Sequence, residues 1–412
     1  MNRAIVGGFL IACILIPGSA GTASAEGGAM AERNGEITVA RSQSGFRRWV
    51  ERFRPKAAAA GIRRATFDKA FRDVRFNPKI IEHDRNQSEF TQAIWDYLDI
   101  AVSPQRVRNG RAKHRKWRRE LAAIEARYGV EAPVLLAVWG LETAYGQFTG
   151  GYNVIEAYAT LAYDGRRRRF AERQLISALR IVQAGDKEPS AMTGSWAGAM
   201  GHTQFIPTSF EVYAVDFTGD GARDIWWPPD ALASTANFLS GEGWTRGQPW
   251  GTEVRLPGGF DFANAGLTVR KPVRYWNALG VRLTDGSAIP DHGSGSILTP
   301  AGADGPAFVV FRNFRVIRRY NNAMSYALAV GHLGDRISGA PGFRASWPRH
   351  EKPLTHAQTR ELQRRLTARG FSTGGIDGKN GPNTTRAVRA FQRSIGITPD
   401  GYASTELLHR LR

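Results

Sequence analysis

One acidic side chain, Glu142, lies in an otherwise apolar stretch that runs from Pro133 to Gly146. Proline near a helix start and the apolar residues after it predict a buried helix, with Glu142 near its C-terminal end. Burial raises the pKa of a carboxyl group, and the partial negative charge of a helix C-terminus acts in the same direction. A carboxylic acid that stays protonated near neutral pH can protonate a glycosidic oxygen. An internal ion pair is the alternative that these residues leave open.

A second group of oxygen-bearing side chains occurs at Asp216, Thr218 and Asp220, at alternate positions of the chain. Gly221 stands at the sixth position of this segment, where calcium-binding loops make a sharp turn. The twelfth position is Trp227 instead of the usual glutamate. The pattern therefore predicts either a modified calcium loop or a glycine-aspartate turn that holds no metal.

The elements that position these groups are mostly helices. Helical periodicity dominates from about 43 to 250 and returns at 322–337. Glycine, proline and short strand-like runs are concentrated at 246–306, which predicts a small β-containing insertion. Residues 341–353 have the composition of a linker, and 354–412 have the pattern of three short helices. The predicted fold class is mainly α, with α+β character from the insertion.

The N-terminal segment predicts the compartment. Residues 1–25 combine Arg3, an apolar stretch and the small-residue cleavage signal Ala23-Ser24-Ala25, which is typical of a signal peptide. We expect export to the periplasm, where association with the outer membrane is left open, and we expect 26–42 to be a disordered leader. The single cysteine, Cys13, lies within the signal segment, so neither disulfides nor thiol catalysis is expected. The apolar run continues past Cys13, which argues against a lipid anchor.

The chain is strongly basic, with 56 Lys and Arg against 37 Asp and Glu and a net charge of +19. Such a balance favours binding to anionic polymers, anionic membrane surfaces or nucleic acid. The arginines are scattered, and neither zinc-finger spacing nor an RNA-binding aromatic signature is present. A polyanionic substrate explains the charge at least as well as DNA, so nucleic acid is not an expected partner.

Several long motifs occur in a fixed order. They are Trp139–Gly146 around Glu142, Gly194–Pro207, Tyr213–Gly221, and Arg319–Asn322 followed by Tyr326. Together they resemble the signatures of lytic murein transglycosylases of the membrane-bound B family. The resemblance covers about 43–340, which is therefore the expected catalytic domain.

This resemblance implies a lysozyme-like helical domain in which Glu142 is the single acid/base. Glu142 would protonate the bond between N-acetylmuramic acid and N-acetylglucosamine in peptidoglycan. It would then take the proton of the muramic C6 hydroxyl, which closes a 1,6-anhydro ring without water. The sequence departs from the family pattern at Phe238, where a tyrosine is expected, and at His202-Thr203, which replaces a tyrosine-glycine pair. We expect both departures to tune sugar contacts.

The resemblance also carries over further residues, position by position. The tyrosines and Asn321 would line the cleft, Ser195 and Gln204 would bind the sugars or the catalytic carboxyl, and the arginines would face carboxylates of the lactyl group or stem peptide. The implied substrate-binding residues are Tyr97, Tyr145, Arg166, Arg167, Ser195, Gln204, Tyr320, Asn321 and Tyr326. The implied calcium ligands are Asp216, Thr218, Asp220, the Ala222 carbonyl and Asp230. The metal would be structural, and no cofactor is required for the chemistry.

The C-terminal segment resembles the peptidoglycan-binding domain type 1. The matching residues are Gly375–Thr384, Ala387-Val388, Phe391-Gln392 and Pro399–Gly401. Thr355 and Gln358 predict a capping box at the start of its first helix. The inner face of its second helix is predicted to comprise Ala387, Val388, Phe391 and Ile395. Such a module would raise the local concentration of wall substrate for the enzyme.

Three other functions remain open. A hydrolase would use water on the same bond and leave a reducing end instead of an anhydro end. A non-catalytic wall-binding scaffold would keep the fold without cleavage, although the intact motif around Glu142 argues against this. A nucleic-acid binder would depend on the basic charge alone. The expected partners are peptidoglycan glycan strands, with other cell-wall enzymes as further candidates, and we expect a monomer.

Overall fold

A computed structural model describes residues 42–86 and 92–412. The predicted signal peptide (1–25), Cys13 and all of the predicted leader except residue 42 lie outside the described residues. None of the helices in the described ranges has both the length and the apolar character needed to cross a bilayer.

The larger part of the described chain, N-terminal to the linker, is built mainly from helices, which surround one large apolar core. These helices are α1 (Gln43–Ala59), α2 (Arg64–Phe71), α3 (Pro78–Arg85), α4 (Ile94–Ala101), α5 (Pro104–Lys116), α6 (Arg118–Tyr128), α7 (Ala132–Thr143), α8 (Val154–Asp164), α9 (Arg168–Ala184), α10 (Pro207–Tyr213), α11 (Pro228–Gly241), α12 (Val273–Ala278), α13 (Arg312–Tyr320) and α14 (Met324–Ile337). A two-stranded pair, β1 (Tyr152–Asn153) and β2 (Thr193–Gly194), joins the loops that follow α7 and α9.

Helix α7 lies at the centre of this core. Most of its residues are buried, including Leu135, Leu136 and Trp139, because apolar side chains occur on all sides of the helix. Each fully buried leucine contributes about 1.5–3 kcal/mol of transfer free energy. The helix contacts α14, α5, α11 and α6. The sequence therefore places Glu142 on the last turn of a helix that its neighbours hold from several directions.

The predicted β-containing insertion is a five-stranded antiparallel sheet. Its strands are β3 (Gly251–Arg255), β4 (Lys271–Pro272), β5 (Arg282–Leu283), β6 (Ser294–Leu298) and β7 (Ala307–Val310), in the order β4-β6-β7-β3-β5. A separate apolar cluster around Trp276 and Val309 forms its core. Trp250 anchors the sheet to α14 because its indole N–H donates to Asp335 at 2.8 Å. The insertion thus braces the helix that carries Tyr326.

The C-terminal segment is a three-helix module with its own apolar core. Its helices are α15 (His356–Ala368), α16 (Pro382–Ser394) and α17 (Thr405–Arg410). The capping box is confirmed: the Thr355 hydroxyl accepts from the Gln358 amide, and the Gln358 side chain accepts from the Thr355 amide. The inward placement of Ile395 is wrong, since its side chain is 41% exposed. Helix α16 ends at Ser394, so Ile395 has left the helical face.

The connection at 341–353 is irregular, as expected for a linker, but it packs against the larger N-terminal part. The Phe343 ring lies 3.7 Å from the His332 ring, centroid to centroid. Arg349 forms a two-pronged ion pair with Asp99, at 2.7 and 3.0 Å. Exposed ion pairs contribute little, so the aromatic packing is the larger attachment. The module therefore begins from a segment that contacts the larger N-terminal part at Phe343 and at Arg349.

Candidate active site

The carboxyl group of Glu142 lies beside the hydroxyl of Tyr326, which donates a hydrogen bond to Oε1 at 2.6 Å. Glu142 is partly accessible, whereas Tyr326 is buried. Burial raises the pKa of Glu142 to about 7, and the hydrogen bond from Tyr326 opposes this by stabilising the carboxylate. No ion pair in residues 42–86 and 92–412 includes Glu142, so the structure gives no support to the internal ion pair. The geometry is that of an accessible acid that titrates near neutral pH.

Two further tyrosines lie in the same environment. Burial and the charge of Glu142 raise the pKa of both Tyr97 and Tyr320, so both phenols stay neutral. The Tyr320 hydroxyl donates to the Thr203 carbonyl. The Tyr320 ring packs at 5.0 Å against Phe238. The unexpected phenylalanine at 238 therefore supports Tyr320 by packing.

The backbone is strained at the two central motifs. Ala144, Tyr145 and Gln204 have φ values of 49°, 63° and 56°, and they are the only non-glycine residues with positive φ in the described ranges. Such conformations cost free energy and persist where the surrounding structure enforces them, often at functional sites. The chain turns sharply directly after Glu142 and again within the second motif. This strain was not visible in the sequence.

Gln204 and Ser195 organise the loop of the second motif. The Gln204 amide, 8% exposed, donates to the carbonyls of Gly201 at 3.0 Å and Thr149 at 3.2 Å. The Ser195 hydroxyl accepts from the Ala199 amide at 3.1 Å. The bond from Gln204 to Thr149 connects the second motif to the loop after α7, and the other two bonds lie within the motif. Contact of either side chain with sugar stays a prediction.

Asn321 and Tyr145 both have internal roles. The Asn321 side chain accepts from the Ala323 amide at 3.1 Å, just before α14 begins. The Tyr145 hydroxyl donates to the Arg106 carbonyl at 2.9 Å, and its side chain is only 3% exposed. Its ring lies so close to Gly140 that a Cβ there would be 2.7 Å away. This burial argues against the predicted substrate contact of Tyr145 and indicates that it locks the turn after Glu142.

Arg166 and Arg167 share one partner that the sequence did not reveal. Asp84, 1% exposed, pairs with Arg166 at 3.1 Å and with Arg167 at 3.4 Å. Its backbone carbonyl also accepts from Arg166 at 2.7 Å. Two cations against one carboxylate leave a net positive charge at this position. Both arginine side chains remain partly exposed, and their contact with substrate carboxylates stays a prediction.

His202 forms hydrogen bonds with α7, the helix that carries Glu142. Trp139 donates to its Nδ1 at 3.2 Å, and the Thr143 hydroxyl donates to its carbonyl at 2.6 Å. Burial lowers the pKa of His202 to about 4, so the ring is neutral and its Nδ1 can accept the hydrogen bond from the indole N–H. Tuning of sugar contacts by His202 stays a prediction, and these two hydrogen bonds are with the helix that carries Glu142. The only feature of the sequence that drew attention to His202 was that it departs from the family pattern.

The acidic loop brings three of its predicted ligands together. One oxygen each of Asp216, Asp220 and Asp230 lies within 4.8 Å of the others. Asp216 accepts the amides of Gly219 and Gly221, at 2.6 and 2.8 Å. Asp230, at the start of α11, is buried and accepts three backbone amides, those of Phe217, Thr218 and Asp224.

This donor set fits a hard cation such as calcium. Burial raises the pKa of Asp230, and the nearby charge of Asp216 adds to that effect. A bound divalent ion would relieve this clustering of negative charge, and carboxylate oxygens are the ligands that calcium prefers. The turn glycines, Gly219 and Gly221, have φ values of 78° and 91°, so the tight loop needs their conformational freedom. Ligation by Thr218 and the Ala222 carbonyl stays a prediction.

Comparison with known families identifies the chain. Residues 45–335 match the family model described as transglycosylase SLT domain. The chain belongs to that family. Residues 355–411 match the model for a peptidoglycan binding domain. The prediction of a lytic transglycosylase with a C-terminal wall-binding module is therefore confirmed at the level of the family.

Individual relatives agree with this assignment. Membrane-bound lytic murein transglycosylase B of Escherichia coli (strain K12) is 31% identical over 256 residues, which make up 59% of this chain and 66% of that protein. SltB3 from Pseudomonas aeruginosa, solved with NAG-NAM-pentapeptide, is 51% identical at a TM-score of 0.87, and the match covers 89% of this chain and 99% of that chain. E. coli Slt35, solved with calcium, is 26% identical at a TM-score of 0.61, over 72% and 93%. The predicted lysozyme-like fold class with a helical C-terminal module is confirmed.

Proposed function

We propose that this transglycosylase cleaves the MurNAc-β-1,4-GlcNAc bond of peptidoglycan without water and leaves 1,6-anhydro-MurNAc ends. The observation that carries the proposal is the state of Glu142: its carboxyl is accessible, titrates at about pH 7 and accepts a hydrogen bond from Tyr326. A carboxyl group whose pKa is raised to about 7 can hold its proton and also release it near neutral pH. One side chain can therefore serve in turn as acid and as base.

Glu142 would first donate its proton to the glycosidic oxygen while the bond from that oxygen to the muramic C1 breaks. The resulting carboxylate would then take the proton of the C6 hydroxyl as O6 bonds to C1. The protons balance, because Glu142 ends the reaction protonated as it began. The Tyr326 hydroxyl would stabilise the carboxylate between the two steps.

The surroundings of Glu142 favour this reaction over hydrolysis. Glycosidases of the retaining type place two carboxyl groups about 5–5.5 Å apart, and charges at that separation shift each other's pKa. The pKa of Glu142 is set by burial and by Tyr326, and by no carboxylate in the described residues. A single-carboxyl mechanism is therefore the better fit. Mass analysis of released muropeptides tests it, since anhydro products are lighter by one water than hydrolysed ones.

The domain division that we propose is 43–340 for catalysis, 341–353 for the connection and 354–412 for wall binding. The two family matches support it, as do the separate cores of the two parts. The wall-binding module would keep the active site near insoluble substrate.

Deletion of residues 354–412 is expected to lower the rate of release from intact sacculi by about tenfold or more, because the module supplies local concentration. The same deletion should leave kcat on short soluble glycans unchanged, because Glu142 and Tyr326 lie outside it. Rates on both substrates, measured side by side, check this. An equal loss on both substrates would instead mean that the module acts on the catalytic domain itself.

We further propose that Asp216, Thr218, Asp220, the Ala222 carbonyl and Asp230 hold a structural calcium ion. The three clustered carboxylates support this, as does the calcium complex of the related E. coli Slt35. The ion would fix the loop that precedes α11, and it has no part in the reaction.

Calcium at about ten times its Kd is expected to raise the melting temperature by roughly 2–4 °C, because it binds only the folded loop. Asp220→Asn should abolish this rise. Asp285→Asn offers a matched control, since Asp285 is also an exposed turn aspartate and accepts from Ser287 at 2.9 Å. Thermal melts with calcium and with chelator measure the difference. A rise that survives in Asp220→Asn would contradict the site.

We propose export to the periplasm and a role there in cell-wall remodelling and turnover. The predicted signal peptide and the wall-acting relatives support this. The substrate would be the glycan strand, and SltB3 from Pseudomonas aeruginosa binds NAG-NAM-pentapeptide. Other cell-wall enzymes as partners and a monomeric state stay predictions.

A further inference from the structure

The imidazole ring of His202 lies against residues on both sides of Glu142 in the chain. Trp139, which precedes Glu142 by about one helical turn, meets the ring edge-on at 5.4 Å between centroids and donates its indole N–H to Nδ1 at 3.2 Å. Gly146, which follows Glu142, lies so close that a Cβ there would be 2.4 Å from the Cε1 atom of the ring. Any larger residue at this position would push the ring away. The His202 ring therefore fills the space between the last turns of α7 and the turn that follows.

The backbone of His202 holds the same turn a second time. Its carbonyl accepts a hydrogen bond from the Thr143 hydroxyl at 2.6 Å. The Thr143 hydroxyl oxygen in turn accepts from the Gly146 amide at 3.1 Å. The two residues between them, Ala144 and Tyr145, both have positive φ, and such strain persists only where neighbouring contacts enforce it. His202 supplies two of those contacts, one from its side chain and one from its carbonyl.

His202 is itself attached to the segment that precedes α11. Its amide donates to the Ile225 carbonyl at 3.0 Å, and Ile225 is fully buried. A Cβ at Gly201 would lie 2.4 Å from the same carbonyl oxygen, so the two backbone segments are in direct contact. The residue before Ile225, Asp224, donates its amide to the buried carboxyl group of Asp230 at 2.9 Å. His202 therefore bridges the end of α7 and a segment that has its own buried anchors.

The hydrogen bond from Trp139 requires a His202 ring that carries no proton on Nδ1. Burial lowers the pKa of His202 to about 4 and outweighs the two effects that raise it, which are a hydrogen bond with the Trp226 backbone and the charge of Asp224. The charge of Lys113 lowers the pKa as well. The ring is therefore neutral near neutral pH, with Nδ1 as the acceptor. A phenol ring has no acceptor atom at that place, so the tyrosine that the family pattern predicts here could not form this bond.

We propose that His202 is a positioning residue, which holds the turn after α7 so that the Glu142 carboxyl group stays aligned with the Tyr326 hydroxyl and with the bond to be cleaved. This inference deepens the proposed function and rests on it. His202 acts through Trp139 and Thr143, without contact to the reacting atoms. A misplacement of about 1 Å can cost about a hundredfold in rate, so loss of one of the two contacts is expected to lower kcat about tenfold. KM should stay unchanged, whereas a role in sugar contacts would change KM.

Two substitutions of His202 in the full chain separate the hydrogen bond from the ring. His202→Phe keeps a flat buried ring but offers no acceptor to the Trp139 indole. His202→Asn loses the ring, but its side-chain oxygen can take the place of Nδ1 and accept that bond. On soluble glycan, His202→Phe should lower kcat about tenfold at unchanged KM, and His202→Asn should keep kcat within about threefold of the wild type. Melting curves of both variants set an assay temperature at which each is folded.

His332→Phe is the matched control, because His332 is another buried histidine whose pKa burial lowers to about 4. It stacks on Phe343 of the linker, and its replacement should leave kcat unchanged. If the His202 ring acted by packing alone, His202→Asn would lose at least as much activity as His202→Phe, and that result would overturn the inference. Wild-type kcat in His202→Phe, or a change in KM alone, would overturn it too. Failure of the proposed function would appear separately, as reducing ends released by the wild type.

Discussion

Replacing Glu142 with glutamine is expected to lower kcat for glycan cleavage by about three orders of magnitude, because general acid–base catalysis contributes roughly 10²–10⁴-fold and this side chain would act in both steps. Glutamine keeps the shape of glutamate and can still accept the 2.6 Å hydrogen bond from Tyr326. Binding of glycan should therefore survive. Initial rates and ligand affinity, measured on the same preparation, separate the two effects.

Asp335→Asn is the matched control for this variant. Asp335 is another partly exposed carboxyl group, and burial raises its pKa to about 6. It accepts one hydrogen bond, from the Trp250 indole at 2.8 Å, and lies on the same helix as Tyr326. Asp335→Asn should leave kcat unchanged, because we do not expect the Asp335 carboxyl group to face substrate. If both variants lost activity alike, loss of any carboxyl group with a raised pKa would explain the effect, and the assignment of Glu142 would fail.

The second large effect is a loss of activity at alkaline pH. Glu142 must be protonated to donate, and its pKa is about 7. Above that value kcat/KM should fall about tenfold per pH unit, which gives about a hundredfold loss two units above the pKa. A pH–rate profile on soluble glycan measures this limb. A profile that stayed flat from pH 6 to 9 would contradict Glu142 as the acid.

Tyr326→Phe should move this limb to higher pH. The Tyr326 hydroxyl stabilises the Glu142 carboxylate and so lowers its pKa; without it, the proton is held more tightly and the pKa rises. Tyr213→Phe is the control, since Tyr213 donates a bond of equal length, 2.6 Å, to Glu242 instead. That variant should keep the wild-type profile. A shift of the Tyr326→Phe limb to lower pH would show that Tyr326 raises the pKa of Glu142 instead of lowering it.

Helix α7, which carries Glu142, was predictable because the sequence features that indicate it are local. Pro133, the apolar run and Glu142 lie within a few residues of one another, so periodicity and burial place the carboxyl on a buried helix. The three-helix module was predictable for the same reason, down to its capping box. The boundaries of the insertion were less exact: its strands extend from 251 to 310, whereas composition indicated 246–306.

The partners of the site residues could not be predicted from local patterns. Tyr326 reaches Glu142 across 184 positions of the chain, and only the family resemblance brought the two together. His202 reaches Trp139 across 63 positions, and Asp84 reaches Arg166 across 82. Contacts of that kind depend on how helices pack, which periodicity does not encode. The strained φ of Gln204 also follows from tertiary contacts and has no signature in the sequence.

The most direct test of the single-carboxyl mechanism is digestion of purified peptidoglycan in water enriched in heavy oxygen, followed by mass analysis of the released muropeptides. The mechanism predicts products that are lighter by one water than hydrolysed fragments and that carry no heavy oxygen, because O6 of the sugar replaces water as nucleophile. Their release should disappear in Glu142→Gln. Reducing ends that carry one heavy oxygen would contradict the account and make the protein a hydrolase.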